Sequence, residues 1–317
     1  MMNKTQRIFI AGHHGMVGSA IERLLTRNGF KNLILASHRE LDLRDAHAVQ
    51  RFFEMQKPDI VILAAARVGG IQANIDYPAE FLYDNLAIQN NVIHQSFLSG
   101  VKKFCFLGSS CIYPCDCPQP MKEQYLLTGL LEPTNECYAL AKIAGLKMVE
   151  YYYRQYGFRG ISVMPCNLYG TNDSFDLSHS HVLAAFIKKF VDAVDRGINN
   201  ITVWGTGLAK REFMHVDDAA ESILFLMDNY NEPEFINIGW GIDISIRDLA
   251  ELIAQKVGYK GSIKWDATKP DGMPRKCMDV SRLKSLGYIP QISLEEGIKK
   301  TIEEYRTIIL SQGVSSE

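Results

Sequence analysis

Short apolar runs alternate with helical patterns through the first half of the chain, and this alternation restricts the fold more than any other feature of the sequence. The apolar runs are rich in Ile, Val, Leu and Phe and occupy residues 7–11, 32–36, 59–65, 103–107 and 160–165. Helical patterns lie between them, over residues 16–28, 46–55, 79–99 and 136–156. Strands that alternate with helices form parallel sheets, because parallel neighbours need a crossover connection. The sequence therefore predicts an α/β fold with a doubly wound parallel sheet.

The regular alternation ends near residue 168. Beyond it, the patterns predict helices over residues 181–196, 213–230 and 246–258, and strands over 201–205 and 235–239. We expect residues 1–168 to form a dinucleotide-binding domain, with segments near 212–240 returning to it. Residues 169–317 are expected to form a smaller C-terminal α/β domain that binds the substrate at the carboxyl ends of the strands.

The overall composition excludes several classes of partner. Lys and Arg total 34 against 36 Asp and Glu, a net charge of −2, so no basic field attracts nucleic acid or an anionic membrane. No apolar run approaches the roughly 20 residues that span a bilayer. The first residues pass directly into a strand pattern and lack a signal peptide. Seven cysteines do not resemble a secreted disulfide framework. These features predict a cytoplasmic protein with reduced thiols.

A glycine-rich turn, AGHHGMVG, follows the first predicted strand directly and precedes the first helix. Gly12, Gly15 and Gly18 permit a tight turn, close approach of the backbone to a pyrophosphate, and close packing of helix on strand. The helix N-terminus would then meet the phosphates. The alternative is a plain strand–helix turn, but its place in a β-α-β unit favours a Rossmann-type dinucleotide site. Asp45 and Ala65, the latter within the small-residue run 64–66, are predicted to line its adenine and phosphate side.

The choice of cofactor is predicted from the end of the second strand, where NAD enzymes place an acid that binds the ribose. Ala36 stands at that position here, followed by Ser37, His38 and Arg39. A hydroxyl donor and two potential cations suit a 2′-phosphate, and His14 in the glycine turn is predicted to add to the same site. The sequence therefore predicts NADP(H). The alternative is that His38 and Arg39 are solvated loop charges.

Tyr138 and Lys142 lie one helical turn apart, and Ser109 follows the strand pattern KFCFLG. A nearby ammonium is expected to lower the pKa of the phenol, which would exchange a proton while hydride moves to or from a carbonyl carbon. Ser109 would hydrogen-bond the reacting oxygen. A Tyr-x-x-x-Lys pair alone is common on helices. Combined with the glycine turn and the serine, it predicts a dehydrogenase or reductase.

The motifs together resemble those of the extended short-chain dehydrogenase/reductases, and within them the GDP-L-fucose synthase family. The resemblance extends from near the N-terminus to about residue 280, and its motifs are AGHHGMVGSAI, AAARVGGI, LGSSCIYP, EPTNECYALAKIAG, MPCNLYG, SHVLAAF, REFMHVDD and KPDGMPRK. It implies epimerisation at C3 and C5 of GDP-4-keto-6-deoxymannose, or of a closely related GDP-keto-sugar, followed by reduction at C4. It also implies NADP(H) as cofactor and a homodimer formed by helices of the dinucleotide domain, including the helix of Tyr138.

The resemblance assigns roles to individual residues. It implies Ser109, Tyr138 and Lys142 as the reductase triad, and Cys111 and His181 as the epimerisation pair. The residues predicted to contact the nucleotide-sugar are Ser109, Ser110, Cys111, Asn167, Lys189, Trp204, Arg211 and Lys269. The predicted cofactor contacts comprise the glycines and adenine-end residues named above and, in addition, Met16, Val17, Lys142, Pro165, Asn167, Leu168 and His181.

The chemistry of Cys111 and His181 also suits the epimerisation that the resemblance implies. A 4-ketone acidifies the neighbouring C–H bonds, so inversion needs a base on one face and an acid on the other. In a strand-like segment, Cys111 would share a face with Ser109, and a thiolate near a cation is a competent base. Histidine is a general acid that works near neutral pH, so His181 can return the proton. The alternatives are a buried structural thiol for Cys111 and His179 as a rival to His181. A zinc site at Cys111, Cys115 and Cys117 lacks a spaced partner, so we predict no metal.

The sequence leaves two rival functions open. The first keeps the chemistry but acts on a related 4-keto nucleotide-sugar, such as the colitose precursor or a keto-heptose, with inversion at C5 alone. The second is a non-catalytic, dinucleotide-binding redox sensor, which should lack an intact set of serine, tyrosine and lysine.

Overall fold

A computed structural model describes residues 2–176, 180–269 and 271–314, with side chains as far as Leu310. The strands are β1 Ile8–Ala11, β2 Leu33–Ile34, β3 Ile60–Leu63, β4 Lys103–Leu107, β5 Gly160–Pro165, β6 Asn167–Tyr169, β7 Asn200–Trp204, β8 Lys210–His215, β9 Ile236–Ile238, β10 Asp243–Ser245, β11 Ser262–Asp266 and β12 Arg275–Lys276. The helices are α1 Met16–Arg27, α2 Ala46–Gln56, α3 Ile71–Asp76, α4 Pro78–Leu98, α5 Glu136–Tyr156, α6 Val182–Asp195, α7 Val216–Asn229, α8 Ile246–Val257, α9 Ser281–Ser285 and α10 Leu294–Val314.

Six strands form one parallel sheet in the order β2-β1-β3-β4-β5-β9. Strands β1, β3 and β4 are buried along their whole length because helices cover both faces, which is why they are almost uninterrupted apolar runs. The order reverses beside β1, so β1 and β3 diverge at the edge where doubly wound sheets bind ligands. The predicted fold class is confirmed.

The second half contains smaller sheets and a separate core. Strand β8 pairs with β10, β12 and β6, and β7 pairs with β11. Apolar side chains of α6, α8 and α10 pack together around Tyr169, Phe190 and Ile253. Among the described residues, no helix is both long and apolar enough to cross a membrane.

The chain returns to the first half after β8. Helix α7 packs on α1, with ion pairs from Arg23 to Asp217 at 2.9 Å and from Arg27 to Glu221 at 3.1 Å. Strand β9 then adds to the six-stranded sheet beside β5. The expected division into two domains at residue 168, with a return near residues 212–240, stays a prediction.

One predicted helix was wrong in its first part. The pattern predicted a helix over residues 213–230, but the chain remains extended as β8 to His215 and α7 begins at Val216. The ring Nδ1 of His215 accepts a hydrogen bond from Asp217 N at 3.2 Å and caps the helix. Residues 212–215 are all buried, and the apolar pair Phe213 and Met214 was mistaken for the start of a helical stripe.

Candidate active site

The glycine turn forms a backbone cradle between β1 and α1. Gly12 has φ +89°, and a Cβ there would lie 2.6 Å from the backbone nitrogen of Ala65. A Cβ on Gly18 would overlap the carbonyl oxygen of Gly12. Gly15 begins α1 without a side-chain cap, so the first amides of the helix are left for a ligand. This turn therefore fits the pyrophosphate of a dinucleotide.

At the predicted adenine end, the polar side chains bond to one another. Ser37 donates from both its amide and its hydroxyl to Glu40 at 2.8 Å, and His38 lies 3.9 Å from Asp42. Arg39 and His14 are exposed. The carboxylate of Asp45 caps α2 by accepting from the amides of His47 and Ala48. Glu40 thus occupies the donors of Ser37, and the contact of these residues with a 2′-phosphate stays a prediction.

Ser109 and Cys111 lie at the carboxyl end of β4, but the segment between them is not a strand. Residues Ser110–Ile112 form a 3-10 turn that Ser109 caps by accepting from the amide of Cys111 at 3.4 Å. The expectation that strand alternation places both side chains on one face was therefore wrong. The turn brings them together instead, and Cys111 and Ser110 are buried there.

Tyr138 and Lys142 project from α5 toward the same end of the sheet. The Lys142 Nζ atom is buried, donates to the carbonyl of Leu107 at 2.8 Å and lies 5.7 Å from the ring centre of Tyr138. Burial lowers the pKa of Lys142 to about 8. Burial, with Cys111 nearby, raises the pKa of the Tyr138 phenol well above its usual range. The expected lowering by Lys142 is therefore not present, because desolvation dominates at this partly buried phenol.

Cys111 has two ammonium groups in its surroundings. Burial raises the pKa of the thiol, whereas Lys276, the hydroxyl of Ser109 and Lys142 each lower it. Lys276 belongs to β12 and was missing from the sequence-based prediction, although its motif KPDGMPRK was noted. Two long-range pairings bring this lysine to the thiol, namely that of β12 with β8 and the parallel bridge between Met278 and Met121.

His181 lies at the N-terminus of α6, beside a cavity of about 490 Å³. The cavity is also lined by Met16, Arg67, Phe81, Asp173 and Ser180. The ring of Phe81 packs edge-on against Tyr138 at 6.5 Å, which connects the cavity to the reductase residues.

Asp173 was not predicted from the sequence. Its Oδ2 atom is buried and has no hydrogen-bond partner among the described residues. Burial raises the pKa of Asp173, and neighbouring His181 lowers it. His179 lies outside the described residues.

The predicted substrate residues Asn167, Lys189, Trp204 and Arg211 lie on β6, α6, β7 and β8 respectively, and Lys269 follows β11. Asn167 donates to the carbonyl of Glu212 at 2.8 Å, and Lys189 donates to that of Thr202 at 3.4 Å. Trp204 is 68% exposed, and the Lys269 Nζ atom lies 5.4 Å from its ring centre. Arg211 donates to the carbonyl of Met273 at 2.6 Å. An exposed indole beside cations is an arrangement that can bind a nucleotide.

The remaining predicted cofactor residues lie along the same sheet edge. Met16 and Val17 open α1, Pro165 ends β5, and Leu168 lies in β6. Among the described residues, no three His, Cys, Asp or Glu side chains cluster as a metal site would require.

The sequence pattern of the NAD dependent epimerase/dehydratase family matches residues 8–239. This chain belongs to that family. Within the epimerase/dehydratase family, it is 54% identical over 305 residues to a putative GDP-L-fucose synthase 2 of Arabidopsis thaliana, covering 96% of this chain and 93% of the relative. It is 40% identical over 301 residues to a GDP-L-colitose synthase of Yersinia pseudotuberculosis, covering 94% and 97%.

A crystal structure of a GDP-L-fucose synthetase from Naegleria fowleri bound to NADP is similar in fold. Its TM-score is 0.90 at 27% identity, and the match covers 98% of this chain and 96% of that one. The resemblance inferred from the motifs is thereby confirmed, as is the prediction of an NADP-dependent oxidoreductase with epimerase activity. The individual roles of the site residues are not tested by these similarities.

Proposed function

We propose that this enzyme converts GDP-4-keto-6-deoxy-D-mannose to GDP-L-fucose by inversion at C3 and C5 followed by reduction at C4. The observation that carries the proposal is the convergence of Ser109, Cys111, Tyr138 and Lys142 at the carboxyl end of β4. A reductase alone has no need of a thiol beside its serine and tyrosine. The 54% identity to a GDP-L-fucose synthase supports the same sugar.

In the inversion, the Cys111 thiolate removes a proton from the carbon next to the 4-ketone. The electron pair of the C–H bond moves to O4 and gives an enolate, which the hydroxyls of Ser109 and Tyr138 hold by hydrogen bonds. His181 donates a proton to the opposite face of that carbon, so the centre is inverted. Lys276 and Lys142 each lower the pKa of the Cys111 thiol, because a nearby ammonium stabilises the thiolate that acts as the base.

In the reduction, Tyr138 donates its phenolic proton to O4 as C4 accepts hydride. NADPH supplies that hydride when it is bound. Ser109 holds the ketone oxygen by a hydrogen bond, and we assign the buried ammonium of Lys142, one helical turn from Tyr138, to the nicotinamide ribose. Because the same two hydroxyls serve the enolate and the alkoxide, the keto-sugar need not leave between the steps.

The cradle of Gly12, Gly15 and Gly18 would hold the cofactor pyrophosphate on the N-terminus of α1. We assign the remaining cofactor contacts to His14, Met16, Val17, Ser37, His38, Arg39, Asp45, Ala65, Lys142, Pro165, Asn167, Leu168 and His181. The GDP group would be bound by side chains of the second half, namely Lys189, Trp204, Arg211 and Lys269, with Ser110 and Asn167 nearer the sugar.

One assay tests the proposal. The enzyme is incubated with GDP-4-keto-6-deoxymannose in deuterated water, with NADPH or NADH in separate reactions, and the product is followed by NMR. We expect deuterium at C3 and C5, reduction at C4 and a preference for NADPH. Cys111→Ala should abolish the incorporation of deuterium and the inversion, with Cys115→Ala as a matched control. Normal inversion by Cys111→Ala would refute the role of the thiol.

The rival substrate is a related GDP-4-keto-sugar. The Yersinia GDP-L-colitose synthase supports it, although at 40% identity against 54%. The same incubation with the 3-deoxy keto-sugar discriminates between the two, since that substrate offers inversion at C5 alone. A higher kcat/KM for the 3-deoxy sugar would favour the rival. The redox-sensor alternative is disfavoured because the serine, tyrosine and lysine are all present at one sheet edge.

We also propose a homodimer that forms through α4 and α5. Large apolar side chains on these neighbouring helices are exposed, namely Tyr83, Leu98, Leu140, Tyr151 and Tyr156. Light scattering should report twice the 35.8 kDa chain mass. Tyr151→Glu should reduce it to one chain, because a buried carboxylate without a partner opposes association. A reducing, cytoplasmic location stays a prediction, consistent with seven free thiols.

A further inference from the structure

Glu212, in the middle of β8, is a buried carboxylate that the mechanism does not use. Its side chain is 0% exposed, and among the described residues it makes no ion pair. Its Oε1 atom accepts from Gly241 N at 2.7 Å, and Oε2 accepts from Met278 N at 2.6 Å. Burial raises the pKa of Glu212 to about 7, while the amides of Met278, Gly241 and Trp240 lower it. Backbone donors therefore replace the cation that usually accompanies a buried carboxylate.

These bonds join three segments that are distant in sequence. Gly241 belongs to the turn after β9, the last strand of the six-stranded sheet, and Met278 follows β12. The backbone carbonyl of Glu212 also accepts from Asn167 Nδ2 at 2.8 Å. Packing is tight, because a Cβ on Gly239 would overlap the Glu212 carboxylate. Glu212 thus links the cofactor sheet to the strands of the substrate half.

Two of the linked segments, β8 and the segment of β12, carry a residue of the proposed site. Arg211 precedes Glu212 on β8, and alternation along a strand directs the two side chains to opposite faces. In the pairing of β8 with β12, Arg211 lies opposite Lys276, two residues before Met278. A buried carboxylate on one face therefore fixes the register and orientation of two cations on the other.

We propose that Glu212 is a positioning residue that sets Arg211 and Lys276 for binding of the GDP-sugar. The inference rests on the proposed function and deepens it, because it assigns the geometry of the nucleotide-sugar site to a residue that cannot touch the ligand. A carboxylate is required, since it alone offers an acceptor oxygen to each of the two facing amides.

The test compares Glu212→Gln with the wild-type enzyme and with Glu251→Gln, an exposed glutamate on α8. Calorimetry measures the Kd of GDP and of NADP⁺, and steady-state assays give KM and kcat. Glu212→Gln turns one donor toward a backbone amide, so the GDP Kd and the sugar KM should rise about tenfold or more. The NADP⁺ Kd should remain within about twofold, whereas kcat should fall along with exchange at C3 and C5, because Lys276 also favours the Cys111 thiolate. Glu251→Gln should behave as the wild type.

Equal losses of GDP and NADP⁺ affinity would overturn the inference, because they indicate a general loss of structure. Unchanged GDP affinity would also overturn it. Should Glu212→Gln fail to fold, Glu212→Asp keeps the charge and both acceptors but draws them back by one methylene. It should lose GDP affinity selectively, and wild-type affinity in that variant refutes the positioning role.

If the wild-type enzyme binds NADP⁺ but neither GDP nor the keto-sugar, the proposed function fails and this inference fails with it. If the wild type binds both and the variants match it, only the inference fails.

Discussion

The two halves of the molecule make their binding sites from different materials. The cofactor half offers backbone, in a cradle of glycines between buried parallel strands whose positions depend on apolar packing. The substrate half offers long side chains, such as Trp204 and Arg211, on short strands that distant segments hold together. A substitution in the cradle should therefore disturb fold and cofactor together. A substitution among the side chains should affect the GDP-sugar alone.

Tyr138 packs against Phe81, which lines a cavity together with Asp173 and His181, and loss of its phenol should have the largest effect. Tyr138→Phe removes the proton donor for O4, so reduction should fall by about a thousandfold. Exchange at C3 and C5 should continue, because Cys111 and His181 are untouched. Deuterium incorporation and consumption of NADPH, measured in the same sample, separate the two steps. Parallel loss of exchange would show that the phenol is essential to the enolate as well. Tyr151→Phe, on the exposed side of α5, serves as the control.

Gly18→Ala tests the claim that the cofactor half depends on backbone packing. The added Cβ would overlap the Gly12 carbonyl, so the free energy of unfolding should fall by about 3 kcal/mol and NADP⁺ affinity should fall with it. Gly15→Ala is the matched control for folding. A Cβ there meets its nearest atom at 3.4 Å, and its stability to denaturant should stay near that of the wild type. Equal stability of the two variants would contradict the packing argument.

This contrast also explains how much the sequence could predict. The six-stranded sheet follows from the spacing of apolar residues and glycines, which is a local property of the sequence. All six of its strands match the predicted runs within two residues at each end. Lys276, Asp173 and Glu212 were missed because their roles arise from pairings between segments far apart in the chain. Two local expectations were also wrong. Residues 213–215 belong to β8, and Cys111 lies in a 3-10 turn, because tertiary contacts outweighed the local pattern there.

Lys276→Gln tests whether Lys276 of β12 favours the Cys111 thiolate as well as helping to bind the GDP-sugar. Lys276 lowers the pKa of the Cys111 thiol, so its removal should raise that pKa. The thiolate fraction at any pH below the pKa should then decrease, and the pH at which exchange is half-maximal should move upward. A shift of about one pH unit would slow exchange about tenfold at neutral pH. Exchange is measured across pH at saturating sugar without NADPH. Lys276→Arg keeps the charge and should retain the wild-type profile, whereas an unchanged profile for Lys276→Gln would exclude the lysine from the base.

Trp204→Ala should have the smallest effect and the most selective one. The indole is 68% exposed and beside Lys269, so its removal leaves no cavity in the core and stability should not change. Loss of one stacking surface for a guanine is worth about 1 kcal/mol, which is about a fivefold rise in KM for the GDP-sugar. The KM for NADPH should not change. Leu208→Ala, at 70% exposure in the same half, is the control for general surface effects. If Trp204→Ala weakened the binding of NADPH as much as that of the GDP-sugar, the assignment of each ligand to its own half of the molecule would be wrong. A side chain remote from the glycine cradle would then affect the binding of both ligands.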